Sequence, residues 1–253
     1  MASPPRARVE AGRAVPARRL ALLSLTGLLA IVFVGLGIWQ VERRRWKLDL
    51  IARVEARIHA PARPAPGPEQ WAGFDAADAE YSKVALEGRY LPGPETLVKA
   101  VTEKGPGFWV LAPFRSARGF TVLVNRGFVP EGRRDPSQRS DAVARGEARL
   151  AGLLRLSEPG GGFLRSNDPA GGRWYSRDVA AIAQARGLGD VAPYFVDADA
   201  ASEPGPLPLG GLTVVSFRNT HLVYALTWFC LAGMSAWAGF HVLRRREDER
   251  AAS

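Results

Sequence analysis

Few residues in this chain are equipped for chemistry. The 253 residues include three histidines, His59, His221 and His241, and a single cysteine, Cys230. His221 and His241 stand 20 residues apart on one apolar run. At about 1.5 Å of rise per helical residue that is roughly 30 Å, too far for one ion. One cysteine permits no internal disulfide, so cysteine usage leaves the redox compartment open. No G-x-S-x-G, H-E-x-x-H, phosphate-binding glycine loop or paired-cysteine metal site occurs. The expectation is a protein that is not an enzyme.

His221 is the exception to a bland surface. It opens the stretch "HLVYALTWFCLAGMSAWAGF", and helical spacing places His221, Tyr224, Ala225, Trp228, Ala232 and Ser235 on one face. An imidazole, two aromatic rings and then small residues would suit a planar apolar cofactor whose iron takes a nitrogen ligand. The same residues also suit an interfacial aromatic belt and close helix packing, which is their commoner use. In "GIWQVERRRWK", Arg43 and Lys47 are one helical turn apart, a spacing that fits a carboxylate or phosphate and equally fits lipid headgroups. In "NDPAGGRWYSRD", Asn167 and Asp168 are expected to make turn hydrogen bonds, Asp178 to cap a helix and Trp174 to pack in a core. "NRGFVP" reads as a turn holding Arg126, followed by a short strand.

The elements that must position these residues begin with two apolar runs. Residues 20–41 contain no charge, and residues 219–243 contain no Asp, Glu, Lys or Arg. Each is long enough to cross a hydrocarbon core about 30 Å thick. Arginines flank the first run on both sides, whereas Arg244, Arg245, Arg246 and Arg250 follow the second with only Arg218 close before it. The positive-inside rule therefore puts the C-terminus inside, and two crossings bring the N-terminus to the same side. The expected order is a basic tail (1–19), a first transmembrane helix (20–41), an amphipathic helical extension (42–60) and a proline-rich linker (61–80). A β-rich domain outside the membrane (81–218), a second transmembrane helix (219–243) and a short tail (244–253) complete it.

Within the outer domain, "KVALEGRY" alternates polar and apolar residues, "LPGP" supplies a turn and "ETLVKAV" returns. "FWVLAPF" and "FTVLVNRGFVP" form a second pair around Ala117–Gly119, and "EARLAGLLRL" and "PYFVDA" add strands. A helix runs from Asp178 to Arg186, capped by Ser176 or Asp178 and ended by Gly187. The fold class is thus α+β: two membrane helices flanking a mainly antiparallel β domain with one or two helices. The formal charge of +9 does not indicate nucleic acid, because the arginines are scattered or flank the apolar runs; anionic lipid or an acidic partner surface fits better.

Four ordered blocks also resemble one known family. They are "GIWQVERRRWK" (Gly37, Trp39, Gln40, Arg43, Lys47), "VLVNRGFVP" (residues 122–130), "NDPAGGRWYSRDVAAIA" (Asn167, Pro169, Trp174, Arg177, Asp178) and "RNTHLVYALTWF" (Arg218, Asn219, His221, Leu222, Tyr224, Thr227, Trp228). Together, spanning about residues 35 to 240, they resemble the surfeit locus protein 1 family. The resemblance implies an assembly factor for haem-copper oxidases, chiefly cytochrome c oxidase, acting on the haem-bearing subunit I alongside other assembly factors. It implies haem a as a transient cofactor, with His221 as candidate iron ligand. The expectation built on this and on the residues themselves places Tyr224 and Trp228 beside the macrocycle and Arg43 or Lys47 at the propionates. The other expectation is a membrane scaffold for oxidase subunits that never touches haem. The short, basic, proline-containing N-terminus is read as favouring a bacterial member in the inner (cell) membrane with the β domain in the periplasm, the alternative being the mitochondrial inner membrane.

Overall fold

The computed structural model describes residues 17–251 apart from 94, 140–145, 163, 203–204 and 213–218. The expected basic tail up to residue 16, Arg218 of the fourth block and residues 252–253 lie outside the described residues. The chain divides into two compact units, one built from Ala52–Ser216 and the other from the chain up to Ile51 together with the C-terminal helix.

The first unit is a small barrel. Its strands are β1 (Arg63–Pro64), β2 (Lys83–Tyr90), β3 (Thr96–Thr102), β4 (Gly105–Ser116), β5 (Thr121–Pro130), β6 (Ala148–Leu156) and β7 (Val191–Ala198). They join in the order β1-β2-β6-β7-β5-β4-β3, and β2 also pairs with β4 through Gly88–Ser116, Arg89–Arg115 and Tyr90–Phe114. That extra ladder closes β2, β6, β7, β5 and β4 into a ring and removes the exposed edges these five strands would otherwise present. The sheet is mixed. β1–β2 and β5–β7 run parallel and the other ladders antiparallel.

Alternation along the strands sorts the side chains into two cores. Val122 and Val124 of β5, with Tyr194 and Val196 of β7, join Val84, Leu86, Phe114, Leu150 and Leu154 in one cluster. The intervening Leu123 and Phe195 join Leu111, Trp174, Val179 and Ile182 in the other, under helix α4 (Val179–Ala185). Burial on both faces explains why "TVLV" and "YFV" read as unbroken apolar runs rather than alternating ones. α4 starts as its sequence directs. Asp178 is the cap, accepting from the Ala181 N–H at 3.1 Å, and Gly187 follows at φ 61°.

Three expectations need correction. β3 does not return along β2 but pairs with β4, whose 12 residues serve β3 with their first half and β2 with their last. "NRGFVP" is not a turn: β5 runs through it, and Arg126 is the extra residue of a bulge, because Val110 faces Gly127 while Leu111 faces Asn125. Gly127 supplies the φ of 139° this requires, and a Cβ there would lie 2.3 Å from the Leu209 carbonyl oxygen. Finally, residues 61–80 do more than link. They carry β1, α2 (Pro68–Trp71) and α3 (Ala76–Ala79), and so the β-rich unit begins before residue 81. Pro68 sits in the first turn of α2, where its missing N–H costs nothing. Trp71 packs edge-on against Phe120 at 5.9 Å, and Phe74 stacks on Tyr194 at 5.6 Å. The Tyr194 hydroxyl donates to the Pro66 carbonyl at 2.6 Å, and burial pushes its phenol well above the ordinary value against the pull of Arg118.

The second unit pairs the N-terminal part of α1 (Ala17–His59) with α5 (His221–Ala251). Both helices are long and apolar enough to cross a membrane. The first expected transmembrane segment and the amphipathic extension form one continuous helix.

Candidate functional site

The two helices of the second unit lie antiparallel, as four contacts along their length show. Arg19 donates to the carbonyls of Val242 and Leu243 at one end. Further along, Phe33 stacks on Trp228 with centroids 5.7 Å apart. Gly37 then meets Phe229 so closely that a Cβ would fall 2.6 Å from the ring. At the far end Gln40 Oε1 stands 2.8 Å from His221 Nδ1. Small residues make this approach possible, since Gly37, Ala225 and Ala232 are all buried.

The candidate ligands are thereby sorted. His221 is half-buried, its Nδ1 faces Gln40, and its Nε2 makes no hydrogen bond among the described residues. Trp228 is engaged in the helix pair through Phe33, whereas Tyr224 is 54% exposed. Arg43 lies one turn beyond Gln40, exposed, with its guanidinium 4.4 Å from the Trp46 ring centre. Lys47 is half-buried a further turn on. Gln40, His221, Trp228 and Arg43 therefore share one end of the helix pair, and Tyr224 lies one turn from His221 on α5, exposed. His241 stacks on Trp237 at 5.0 Å further along α5. Gln40 stood in the sequence only as part of a block. The usable signal was an amide at the end of an otherwise apolar run, where a polar group needs a partner.

The arginines Arg126 and Arg177 of the other blocks pair with carboxylates elsewhere in the barrel unit. Asp197 is 4% exposed and accepts from Asn125 Nδ2 at 2.7 Å, Arg155 Nη1 at 3.2 Å and Arg177 Nη1 at 3.3 Å. Arg177 also grips Glu158, Nη2 to Oε1 at 2.5 Å and Nε to Oε2 at 3.1 Å. Arg126 and Arg139 converge on Glu95 at 2.9 and 2.5 Å, and Arg186 donates to the Glu95 carbonyl and to Thr96. Asn167 Oδ1 accepts from the Tyr175 and Ser176 N–H groups, and Asp168 Oδ1 from Gly171, so the expected turn bonds are present. A cleft of about 450 Å³ opens beside Trp109, Arg155, Arg177 and Asp197.

Burial pushes the Glu158 carboxyl up, but the hydrogen bonds and charge of Arg177 outweigh it and hold the group below its ordinary 4.5. A depressed carboxylate contributes stability that is present above the unfolded value and lost as pH falls through the folded one. Acid titration from about pH 4.5 downward should therefore lower the unfolding midpoint of the wild type more steeply than that of Glu158→Gln. Parallel slopes in tryptophan fluorescence melts would contradict this.

Fold and site thus define a class: a closed mixed barrel in a chain with two helices of membrane-crossing length, an imidazole hydrogen-bonded between those helices. The SURF1 family model matches residues 27–233, most of the chain. Surfeit locus protein 1 of Mus musculus is 36% identical over 228 residues, covering 84% of this chain and 72% of the relative. The Homo sapiens protein of that name is 35% identical over 230 residues (84% and 74%). A SURF1-like protein of Monosiga brevicollis is 37% identical over 233 residues (87% and 86%). The chain belongs to the SURF1 family.

Proposed function

We propose that the chain is a membrane-anchored assembly factor for a haem-copper oxidase that holds haem a for delivery to subunit I, with His221 as the iron ligand. Family membership gives the reading its frame. The observation that carries it is the imidazole of His221, steadied through Nδ1 by Gln40 and leaving Nε2 without a hydrogen bond. That donor set fits an iron centre, which takes neutral imidazole nitrogen and needs its second nitrogen anchored. Arg43, one turn along, and Lys47, two turns along, would offer positive charge to the propionates; Tyr224 and Trp228, one and two turns after His221 on α5, would supply aromatic surface. Haem supplies a redox-active planar iron centre when bound. The chain's part is to hold, orient and release it.

The reading is one of binding rather than catalysis. In the barrel, Asn125 and Arg177 hydrogen-bond to Asp197, and Arg126 to Glu95. In this reading α1 and α5 cross a membrane with both termini on the inner side and the barrel outside. That side is the periplasm of a bacterial cell membrane, or the intermembrane face in a mitochondrial inner membrane.

The experiment is an absorption spectrum of full-length protein purified in detergent from cells that make haem a. Wild type should carry haem and His221→Ala should lose most of it. Unchanged haem in that variant would remove His221 from the site. Colourless wild type that still copurifies with subunit I would replace the carrier reading with a scaffold that does not bind haem.

A further inference from the structure

We propose that Gln40 is a positioning residue that fixes the tautomer of His221, so that the nitrogen offered to a metal is Nε2 and never Nδ1. The inference deepens the haem reading above and rests on it for the identity of the metal, but the tautomer itself is a property of the metal-free protein.

The argument starts from burial. Gln40 is only 9% exposed, in a helix segment whose other residues toward α5 are Phe33 and Gly37. A buried amide with no partner costs free energy, so its carbonyl needs a donor. Gln40 Oε1 lies 2.8 Å from His221 Nδ1, across 181 residues of sequence. A carbonyl oxygen can only accept, so Nδ1 carries the hydrogen. A neutral imidazole has one N–H, which leaves Nε2 with its lone pair free for a metal. Metal-binding histidines are commonly oriented this way, by an acceptor on the second ring nitrogen.

The pairing is held by packing rather than by a loop. Gly37, one turn before Gln40, and Ala225, one turn after His221, are both buried, so the antiparallel helices are packed together immediately next to the hydrogen bond, on the side toward Phe33 and Trp228. The other two histidines lack this arrangement. His59 Nδ1 lies 2.9 Å from the carbonyl oxygen of its own helix at Glu55, and the His241 ring stacks on Trp237. Only His221 is paired, among the described residues, with a side chain on another helix.

The test uses full-length protein in detergent, labelled with ¹⁵N-histidine and purified without haem. His221 is assigned by the signal that His221→Ala removes. Wild type should show a protonated Nδ1 and an unprotonated Nε2. Gln40→Leu, close in volume but with no acceptor, should shift His221 to the Nε2–H tautomer or to a mixture; Gln40→Glu, which keeps an acceptor, should hold Nδ1–H. In haem-making cells Gln40→Leu should then retain haem about 10- to 100-fold more weakly, with Gln40→Glu close to wild type. An Nε2–H tautomer in wild type, or one that Gln40→Leu leaves unchanged, would overturn the proposal. The two readings fail separately. Haem lost in His221→Ala but indifferent to Gln40→Leu removes Gln40's role alone, and the expected tautomer in a wild type that binds no haem supports Gln40's role while removing the haem.

Discussion

Asp197→Ala should cost about 3–5 kcal/mol of stability, a fall of roughly 10 °C in the unfolding midpoint, the largest effect expected of any single change in the barrel. Asp197 sits where β7 pairs with both β5 and β6, opposite Asn125 and Leu153 in register. Arg155 and Arg177 both direct a guanidinium nitrogen at it, and their side chains are only 15% and 13% exposed. Removing the carboxylate leaves two cations poorly solvated and facing each other, with Glu158 and Glu80 as remaining partners. The penalty comes from the charges left behind, not from the strength of the bonds lost. Asp197→Leu combined with Arg177→Met should accordingly cost less than the two single changes added together, a coupling a double-mutant cycle reads directly. Melts of the full-length protein in detergent, followed by near-ultraviolet circular dichroism, provide the measurement. A loss below about 1 kcal/mol would mean that water already solvates these groups.

The second large effect belongs to Gly37. Gly37→Val should separate the helix pair where Phe229 lies, at a cost of about 1–3 kcal/mol of overpacking. Its Cβ alone would stand 2.6 Å from the Phe229 ring. Gln40 is one turn away, so the same change should break the Gln40–His221 bond and reduce haem content by about an order of magnitude, as 1.4 kcal/mol implies. Phe229→Ala in the same molecule restores room and should recover both the His221 Nδ1–H signal and haem. Full haem and an unaltered His221 tautomer in Gly37→Val alone would show that the two helices need not be in contact there.

Asp197 and Gly37 differ in how far the local sequence foreshadows their surroundings. Gly37 lies in a block whose types were visible, and the helices that carry it were legible from the lengths of their apolar runs. The same holds for the strands over "KVALEGRY" and "FTVLVNRGFVP" and for the Asp178 cap, because each depends on neighbours within a few residues. At "NRGFVP" the local pattern and the tertiary structure diverge. An Asn and a Gly flanking an arginine are turn chemistry in isolation, and only the opposing β4, with its register shift at Val110 and Leu111, turns them into a bulge. The prolines of 61–80 misled for a similar reason: they exclude a long helix, but nothing local says that Trp71 and Phe74 cover a barrel core.

By itself the sequence determined the family, the two long apolar helices, the strand-rich middle and the singular position of His221. Tertiary structure decided which strands are neighbours, that β2–β4 pairing closes the ring, that Asp197 and Glu95 collect the arginines, and that Gln40 meets His221. The physical reason is the range of the interactions. Period and capping are set by adjacent residues and leave a pattern in the chain, whereas an alternating strand records which face is buried but not which strand lies beside it. A hydrogen bond across 181 residues is fixed by the packing of whole helices and leaves no periodic trace.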